Sequence, residues 1–265
     1  MDEGIMRIEV EGASLGYSVQ GGASEGRPIV FVHGLAMRSM AGPYEELLGL
    51  LSRQHVVHAL DLRGHGASSD SVEGWTFDQL ADDVVAFCRA LKLDAPVFVG
   101  HSFGAVIGLL AEIRHPGAFR ALCLLSPGPA DHRKDPVDTL DFLIEHGHNR
   151  DALRETFRPM FVRPPGAMLD VTVDAVALVD TEVHREQKRQ NPHFSIDDRL
   201  KDVAPPTLVV CGEEDKVVPQ NRQHDMARKL PRSKEVVFSG EGHMMANESA
   251  GTAAGEVLSF LDDDH

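Results

Sequence analysis

One serine of this sequence stands where its neighbours could make it a nucleophile. Ser102 is the centre of Gly-His-Ser-Phe-Gly, which follows the apolar run Pro-Val-Phe-Val at 96–99 and precedes an Ala-, Leu- and Ile-rich run at 105–115. A strand, Gly-x-Ser-x-Gly and a helix in succession form a nucleophile elbow, a sharp turn that holds the serine hydroxyl at its tip. The glycines avoid collisions in the turn, and the helix N-terminus favours negative charge. The alternative is a glycine-rich turn with an incidental serine, so the partners of Ser102 decide the interpretation.

A serine hydroxyl becomes a good nucleophile beside a base that a third group orients. The sequence offers an acid and an imidazole, each after a run that is typical of a strand. Asp215 follows the apolar run at 207–211, and His243 follows a short strand-like run at 235–238. Open parallel sheets place functional residues at the carboxyl ends of their strands, where this pattern puts all three side chains. The residues therefore offer Ser102, His243 and an acid such as Asp215 as candidates for a catalytic triad, with the acid still to be chosen.

These motifs together resemble the α/β-hydrolase family. Residues 29–35, Ile-Val-Phe-Val-His-Gly-Leu, are similar to the strand and His-Gly turn that carries part of the family's oxyanion hole. Residues 61–68, Asp-Leu-Arg-Gly-His-Gly-Ala-Ser, are similar to its Asp-x-Arg-Gly-x-Gly-x-Ser loop. The motifs run in family order from about residue 28 to residue 245. The resemblance implies an α/β fold with a mostly parallel central sheet, flanking helices and an inserted helical cap.

The resemblance also bears on the choice of acid. Glu213 and Glu214 directly precede Asp215 and could supply the carboxylate, and Asp131 is a more distant alternative. The family pattern selects Asp215. Three histidines inside the motifs are expected to be structural rather than to carry protons: His33, His65 and His101.

The resemblance further implies an oxyanion hole made by the backbone N–H groups of Leu35 and Phe103. The residues expected to contact substrate are mostly apolar: Met37, Arg38, Met160, Phe161 and Met244. A pocket so lined suits a moderately apolar ester or lactone. Arg38 and Arg158 could instead clamp a substrate carboxylate, although surface arginines are the favoured interpretation. The sequence has no metal-ligand spacing or nucleotide-binding motif, so we expect no metal and no cofactor.

The composition narrows the class of protein. A formal net charge of −15 argues against binding to nucleic acid or to an anionic membrane. The three cysteines lie in separate apolar runs, which indicates buried free thiols and a reducing compartment. The first residues lack the features of a signal peptide, and no apolar run approaches membrane-spanning length. We expect a soluble, cytoplasmic protein without a nucleic-acid or membrane partner, either a monomer or a homodimer.

The chain divides by pattern into a core and an insert. Strands alternate with helices over residues 1–126 and again over residues 204–265, which we expect to form the core domain. Residues 127–203 break the alternation for far longer than an ordinary loop and are expected to form the cap. Apolar spacing predicts three helical segments there, at 136–148, 151–162 and 167–190.

The insert should bury its apolar faces over the elbow. We expect Phe157, Met160 and Phe161 to roof Ser102, while the more charged stretch 181–190 faces solvent. In that case Met160 and Phe161 would set the ranking among acyl-chain lengths.

The function expected from these observations is a serine hydrolase that cleaves a small ester or lactone. Carbon–carbon bond hydrolysis, enol-lactone hydrolysis, lyase chemistry and perhydrolysis stay open because a base and an oxyanion hole do not specify the leaving group. A ligand receptor or signalling protein of the same fold is the non-enzymatic alternative.

Overall fold

The structure, a computed structural model, describes residues 4–22, 26–40, 42–68, 73–134 and 138–263. Its centre is an eight-stranded sheet with the order β1-β2-β4-β3-β5-β6-β7-β8. The strands are β1 (Met6–Val10), β2 (Ala13–Gln20), β3 (Ile29–Val32), β4 (Val57–Leu60), β5 (Val97–His101), β6 (Ala121–Leu125), β7 (Thr207–Gly212) and β8 (Ser233–Phe238). The pairs β1–β2 and β2–β4 are antiparallel, and all other neighbours are parallel. This confirms the mostly parallel α/β sheet that the sequence predicts.

The burial of the strands explains their composition. Every residue of β3, β4, β5, β6 and β7 is buried, because helices cover both faces of a parallel sheet. The edge strands β1 and β8 are partly exposed and carry charged residues. The strands β1 and β2 form a hairpin at one edge of the sheet.

Five helices pack against the sheet: α1 (Glu45–Leu51), α2 (Phe77–Ala90), α3 (Phe103–Arg114), α8 (Gln220–Lys229) and α10 (Ala250–Asp262). The short helix α9 (Met245–Glu248) packs against α1 and α10. The helix α3 follows the elbow and is buried from Phe103 to Ile113, as befits a sequence that is apolar on all sides. Thr76 caps α2 by accepting a hydrogen bond from the Gln79 N–H at 3.0 Å, as its position predicts.

The segment between β6 and β7, residues 126–206, is helical and is called the helical insert below. It contains α4 (Asp138–His146), α5 (Arg150–Phe157), α6 (Ala167–Ala177) and α7 (Thr181–Gln190), with short 3₁₀ turns between and after them. The predicted segment 167–190 is therefore two helices rather than one. Asp180 begins the second by accepting a hydrogen bond from the Glu182 N–H. Val137, counted in the predicted segment 136–148, lies outside the described residues.

The expectation that residues 181–190 face solvent is wrong for one side of α7. Val183, His184 and Gln187 are buried there. The helix has few apolar residues, so its inward face is marked by uncharged polar side chains, which a search for apolar spacing does not detect. In the described part of the chain, no helix combines the length and the apolar character needed to cross a bilayer.

Candidate active site

The elbow at Ser102 has the strained geometry that its sequence implies. Ser102 adopts φ 51° and ψ −113°, a backbone conformation with positive φ that residues other than glycine rarely adopt. A Cβ at Gly104 would lie 2.4 Å from the His33 carbonyl oxygen, and one at Gly100 would lie 2.7 Å from the Ala105 nitrogen. Both positions therefore require glycine because the neighbouring backbone comes too close for any side chain.

Three side chains form a continuous hydrogen-bonded chain at the carboxyl edge of the sheet. His243 Nε2 lies 2.9 Å from Ser102 Oγ, and His243 Nδ1 lies 2.8 Å from Asp215 Oδ2. The side chains of His243 and Asp215 are 4% and 0% exposed. The structure thus brings together the three residues that the sequence predicts as partners, although Ser102 is more than a hundred positions from the other two along the chain.

Asp215 is held as a carboxylate by its surroundings. Its Oδ1 accepts hydrogen bonds from the N–H groups of Val217 and Val218, and its Oδ2 accepts one from Gln223 Nε2 at 2.9 Å. Burial alone would raise the pKa of Asp215. The hydrogen bond and charge of His243, with the two backbone N–H groups, outweigh burial and keep this pKa below its usual value.

The alternative acids do not contact His243. Glu213 and Glu214 have exposed side chains, and their backbone N–H groups donate to the carbonyls of Phe238 and Glu241. Asp131 accepts hydrogen bonds from Arg133. The backbone bonds of the two glutamates join the loop that carries Asp215 to the loop that carries His243, so they position both groups.

The two residues expected to supply the oxyanion donors lie in the wall of a cavity that Ser102 also lines. Leu35 and Phe103 line a cavity together with Ser102, and no acceptor among the described residues takes a hydrogen bond from the backbone N–H of either. Phe103 is the first residue of α3, where the N–H groups have no partner within the helix. Both groups are therefore available to an oxyanion formed beside Ser102.

The motif at residues 61–68 supports the loop that carries Leu35. Asp61 accepts hydrogen bonds from the N–H groups of Ser39 at 2.6 Å and Ala67 at 2.8 Å. His33 Nε2 accepts one from the Leu62 N–H at 3.0 Å. Burial raises the pKa of Asp61 to about 6, against the opposing effect of these N–H groups and of Arg38. His33 is buried, and its pKa is lowered by burial and by neighbouring histidines, which suits a neutral acceptor.

His101 connects the oxyanion loop to His243 in a way that the sequence did not indicate. Its Nε2 lies 3.0 Å from the His243 carbonyl oxygen, and its Nδ1 lies 2.8 Å from the Tyr44 hydroxyl. Tyr44 in turn accepts a hydrogen bond from the Gly34 N–H at 3.0 Å. Burial, followed by the charge of His243, lowers the pKa of His101 to about 3. A neutral imidazole is thus built into the support of the site and is not a proton carrier.

Two cavities meet at Ser102. The larger, about 430 Å³, is lined by Leu35, Ser102, Phe103, Gly128, Pro129, His132, Thr139, Leu140, Gln187, Asn191, Val217, Val218, Pro219 and Arg222. The smaller, about 90 Å³, is lined by Gly34, Leu35, Met37, His101, Ser102, Thr139, Leu143, Phe157, Met160, Val217, His243 and Met244. The small cavity is mostly apolar, whereas the large one also has polar and cationic side chains.

The residues expected to contact substrate separate into two groups. Met37, Met160 and Met244 line the small cavity, together with Phe157 of the expected roof. Phe161 lies in neither wall; it is 6% exposed and belongs to the hydrophobic core, so its expected place in the roof is corrected. Arg38 is also absent from both walls, and its charge acts on the buried Asp61 instead.

Sequence reasoning missed the polar wall of the large cavity. Gln187 and Asn191 lie four residues apart, which places them on one side of a helix, and this spacing was the available signal. Arg222, on α8, carried no signal of its own because it resembles any exposed helical arginine.

The chain belongs to the alpha/beta hydrolase family, whose model matches residues 29–255. It is similar to the AB hydrolase superfamily protein YisY of Bacillus subtilis (strain 168), with 28% identity over 242 residues that cover 82% of this chain and 85% of the relative. Family membership supports a hydrolase.

Two solved structures share the fold. An esterase from Exiguobacterium antarcticum has a TM-score of 0.87 at 20% identity, covering 99% of this chain and 100% of its own. The enol-lactonase from Burkholderia xenovorans LB400 has a TM-score of 0.86 at 20% identity, covering 97% of this chain and 100% of its own. At this identity the likeness concerns the fold.

Proposed function

We propose that this protein is a serine hydrolase that cleaves a small carboxylic ester or lactone through an acyl-enzyme on Ser102. The observation that carries the proposal is the hydrogen-bonded chain from Asp215 through His243 to Ser102, which ends in a cavity that Leu35 and Phe103 also line. A nucleophile, an oriented base and an oxyanion site are the three elements that acyl transfer needs.

The reaction has two balanced halves. His243 Nε2 takes the proton of the Ser102 hydroxyl while Oγ bonds to the carbonyl carbon, and the N–H groups of Leu35 and Phe103 hold the oxyanion. The bond to the leaving oxygen then breaks, and His243 gives that oxygen the proton. In the second half, His243 takes a proton from water as the water oxygen bonds to the acyl carbon. The bond to Ser102 Oγ then breaks, His243 returns the proton to Oγ, and the carboxylic acid leaves. Asp215 keeps Nδ1 of His243 protonated throughout.

The positions of His243 and the oxyanion donors assign the two cavities. The leaving oxygen must approach His243, which lines the small cavity, so the alcohol part of the substrate occupies that cavity. Leu35 lines both cavities, but Phe103 lines only the large one, which is left for the acyl part. In this arrangement the helical insert serves as the cap. Met160 contacts the alcohol part of the substrate and does not determine the preference for acyl-chain length.

The test is a comparison of two serine variants. Ser102→Ala should abolish turnover of ethyl butyrate, which is measured by the release of protons. It should also abolish labelling by a fluorophosphonate. Ser126→Ala is the matched control, because Ser126 is buried, has a positive φ of 42° after the neighbouring strand and has a hydroxyl without a hydrogen bond among the described residues. Labelling at another residue, or full turnover by Ser102→Ala, would refute the proposal. If the wild-type protein binds one equivalent of ethyl butyrate but does not hydrolyse it, the receptor alternative is favoured.

A further inference from the structure

The carboxylate of Asp215 has a full set of hydrogen bonds, and one of them comes from a side chain outside the triad. An ionised carboxylate has about four lone-pair sites. Oδ1 accepts hydrogen bonds from the backbone N–H groups of Val217 at 2.8 Å and Val218 at 2.9 Å. Oδ2 accepts one from His243 Nδ1 at 2.8 Å and one from Gln223 Nε2 at 2.9 Å. The fourth site is therefore filled from α8.

Gln223 is fixed in this position by burial and by the identity of its partners. It is 0% exposed, and its Nε2 also lies 3.5 Å from the carbonyl oxygen of Pro127, at the start of the helical insert. An ionised carboxylate and a carbonyl only accept hydrogen bonds, so the amide must present its NH₂ group to them rather than its oxygen. Gln223 lines neither cavity at Ser102, so it acts on the reaction only through Asp215.

A second donor on the carboxylate weakens its hold on the imidazole of His243. When His243 takes the proton of Ser102 it becomes an imidazolium, which is stabilised by the negative charge on Asp215 Oδ2. The N–H group of Gln223 is attracted by the same charge and reduces what is left for the imidazolium. His243 therefore releases its proton at a lower pH than it would beside an Oδ2 without that donor.

The core groups around the carboxylate and the imidazole keep one charge state while His243 titrates. Burial, followed by the charge of His243, lowers the pKa of His101 to about 3. Burial raises the pKa of the Cys211 thiol to about 12. Glu213 and Glu214 have exposed side chains, so solvent screens their charge.

The groups on the other elements are constant as well or cancel in a comparison of variants. Hydrogen bonds from Arg163 and Ser249 outweigh burial and keep the pKa of Glu241 below its usual value. The guanidinium of Arg222, in the wall of the large cavity, stays protonated in proteins. His132 lines the same cavity and is common to the wild type and to each variant compared below.

We propose that Gln223 is a positioning residue of the triad, whose hydrogen bond to Asp215 Oδ2 sets the pH above which Ser102 becomes reactive. This inference rests on the proposed function and adds a fourth residue to its hydrogen-bonded chain. Gln223 takes no part in making or breaking bonds. It orients the carboxylate from α8 and limits the charge that the carboxylate offers to His243, so the base is free in less alkaline solution.

The experiment measures how fast a fluorophosphonate modifies Ser102 at a series of pH values, so it does not depend on the identity of the substrate. The second-order rate constant rises with the fraction of His243 that is a free base, and the midpoint of that rise is compared between variants. Gln223→Met keeps an unbranched side chain and removes the donor. We expect its midpoint to lie about 0.5–1 pH unit above that of the wild type.

Gln79→Met is the matched control on α2. Gln79 Nε2 also donates to a buried carboxylate at 2.9 Å, but that carboxylate belongs to Asp83, which pairs with Arg63. The substitution removes the same kind of hydrogen bond from an acid that has no contact with His243. It should therefore leave the midpoint unchanged.

The outcomes separate this inference from the proposed function. A midpoint that rises in Gln223→Met but not in Gln79→Met supports the inference. A midpoint that stays or falls in Gln223→Met overturns it, even if labelling is slower at every pH, because the role of Gln223 is then structural. Equal shifts in the two variants overturn it as well.

Gln223→Leu repeats the test if the methionine variant does not fold, and failure of both variants to fold also makes the role structural and overturns the inference. In each of these cases labelling of the wild type at Ser102 leaves the proposed function standing. If the fluorophosphonate does not label Ser102 of the wild type, the proposed function itself fails and the inference fails with it.

Discussion

The two walls of the cleft at Ser102 are built on different principles. The core wall consists of short loops at strand ends, in which the side chains of His243 and Asp215 have protein partners. The insert wall consists of helices that present Met160, Gln187 and Asn191, two of them with unpaired acceptors. The comparison teaches that the core wall orients the side chains of the hydrogen-bonded chain by contacts within the protein, whereas the insert wall determines the shape and polarity of the space beside Ser102.

The largest effect should come from the acid in the core wall. Asp215→Asn should lower kcat by about 10⁴-fold, because the amide no longer selects the productive tautomer of His243. Steady-state kinetics on ethyl butyrate measures the loss. Asp131→Asn is the control and should stay close to wild type. The reverse result, with Asp131→Asn crippled and Asp215→Asn active, would transfer the role to Asp131.

The close approach behind the elbow gives the next largest effect. Gly104→Ala places a methyl group 2.4 Å from the His33 carbonyl oxygen and should reduce the free energy of unfolding by about 3 kcal/mol. Denaturant unfolding measures this loss of stability. Gly255→Ala, in the exposed interior of α10 with nothing within 4 Å of the new methyl, should gain about 0.5–1 kcal/mol. Equal effects at both positions would show that packing at the elbow is looser than the structure indicates.

The region where α7 meets the core should lose stability in acid. Burial lowers the pKa values of His65, in the core, and His184, on α7, to about 4, and His65 also acts on His184. Since an unfolded histidine has a pKa of about 6.5, stability is full above pH 6.5 and is lost as the pH falls towards 4.

Each of these histidines should contribute a slope of about 1.4 kcal/mol per pH unit in that window. The free energy of unfolding of His184→Met can be measured with denaturant from pH 7 to pH 4.5. Its slope against pH should be smaller than that of the wild type by the contribution of one proton. An unchanged slope would mean that His184 is charged in the native state.

The smallest effect concerns the apolar part of the insert wall. Met160→Ala should change the ranking of ethyl, propyl and butyl esters of one acid by several-fold, because Met160 lines the small cavity beside His243. Phe161→Ala is the contrast: it should leave the ranking unchanged but reduce the free energy of unfolding by about 3 kcal/mol, since Phe161 is buried in the core. A ranking altered by Phe161→Ala alone would restore its place in the roof.

The core wall could be predicted from the sequence because each of its parts has a local sequence signature. Gly100, Ser102 and Gly104 are required by one turn, the apolar run before Asp215 is the buried strand β7, and the run before His243 is the edge strand β8 of the same sheet. Strand ends in such a sheet lie at one edge, so the relation between distant residues follows from topology.

The insert wall could not be predicted at the same depth. Whether Met160 or Phe161 faces Ser102 depends on a rotation at the 3₁₀ turn over Arg158–Met160, which helical spacing cannot fix. The inward face of α7 is polar, so a hydrophobic pattern assigns it to solvent. Tyr44 acts through contacts with Gly34 and His101 that arise only after the sheet has formed.

The backbone of Ser102 has a consequence for the evolution of the chain. A non-glycine residue held at φ 51° and ψ −113° costs about 1–3 kcal/mol of stability, and glycine at the same position would remove most of that cost. Selection for stability alone would therefore favour glycine there, and a serine persists only where its hydroxyl is needed. In descendants of this chain that have lost activity, we therefore expect Ser102 to be replaced before the glycines of the same turn.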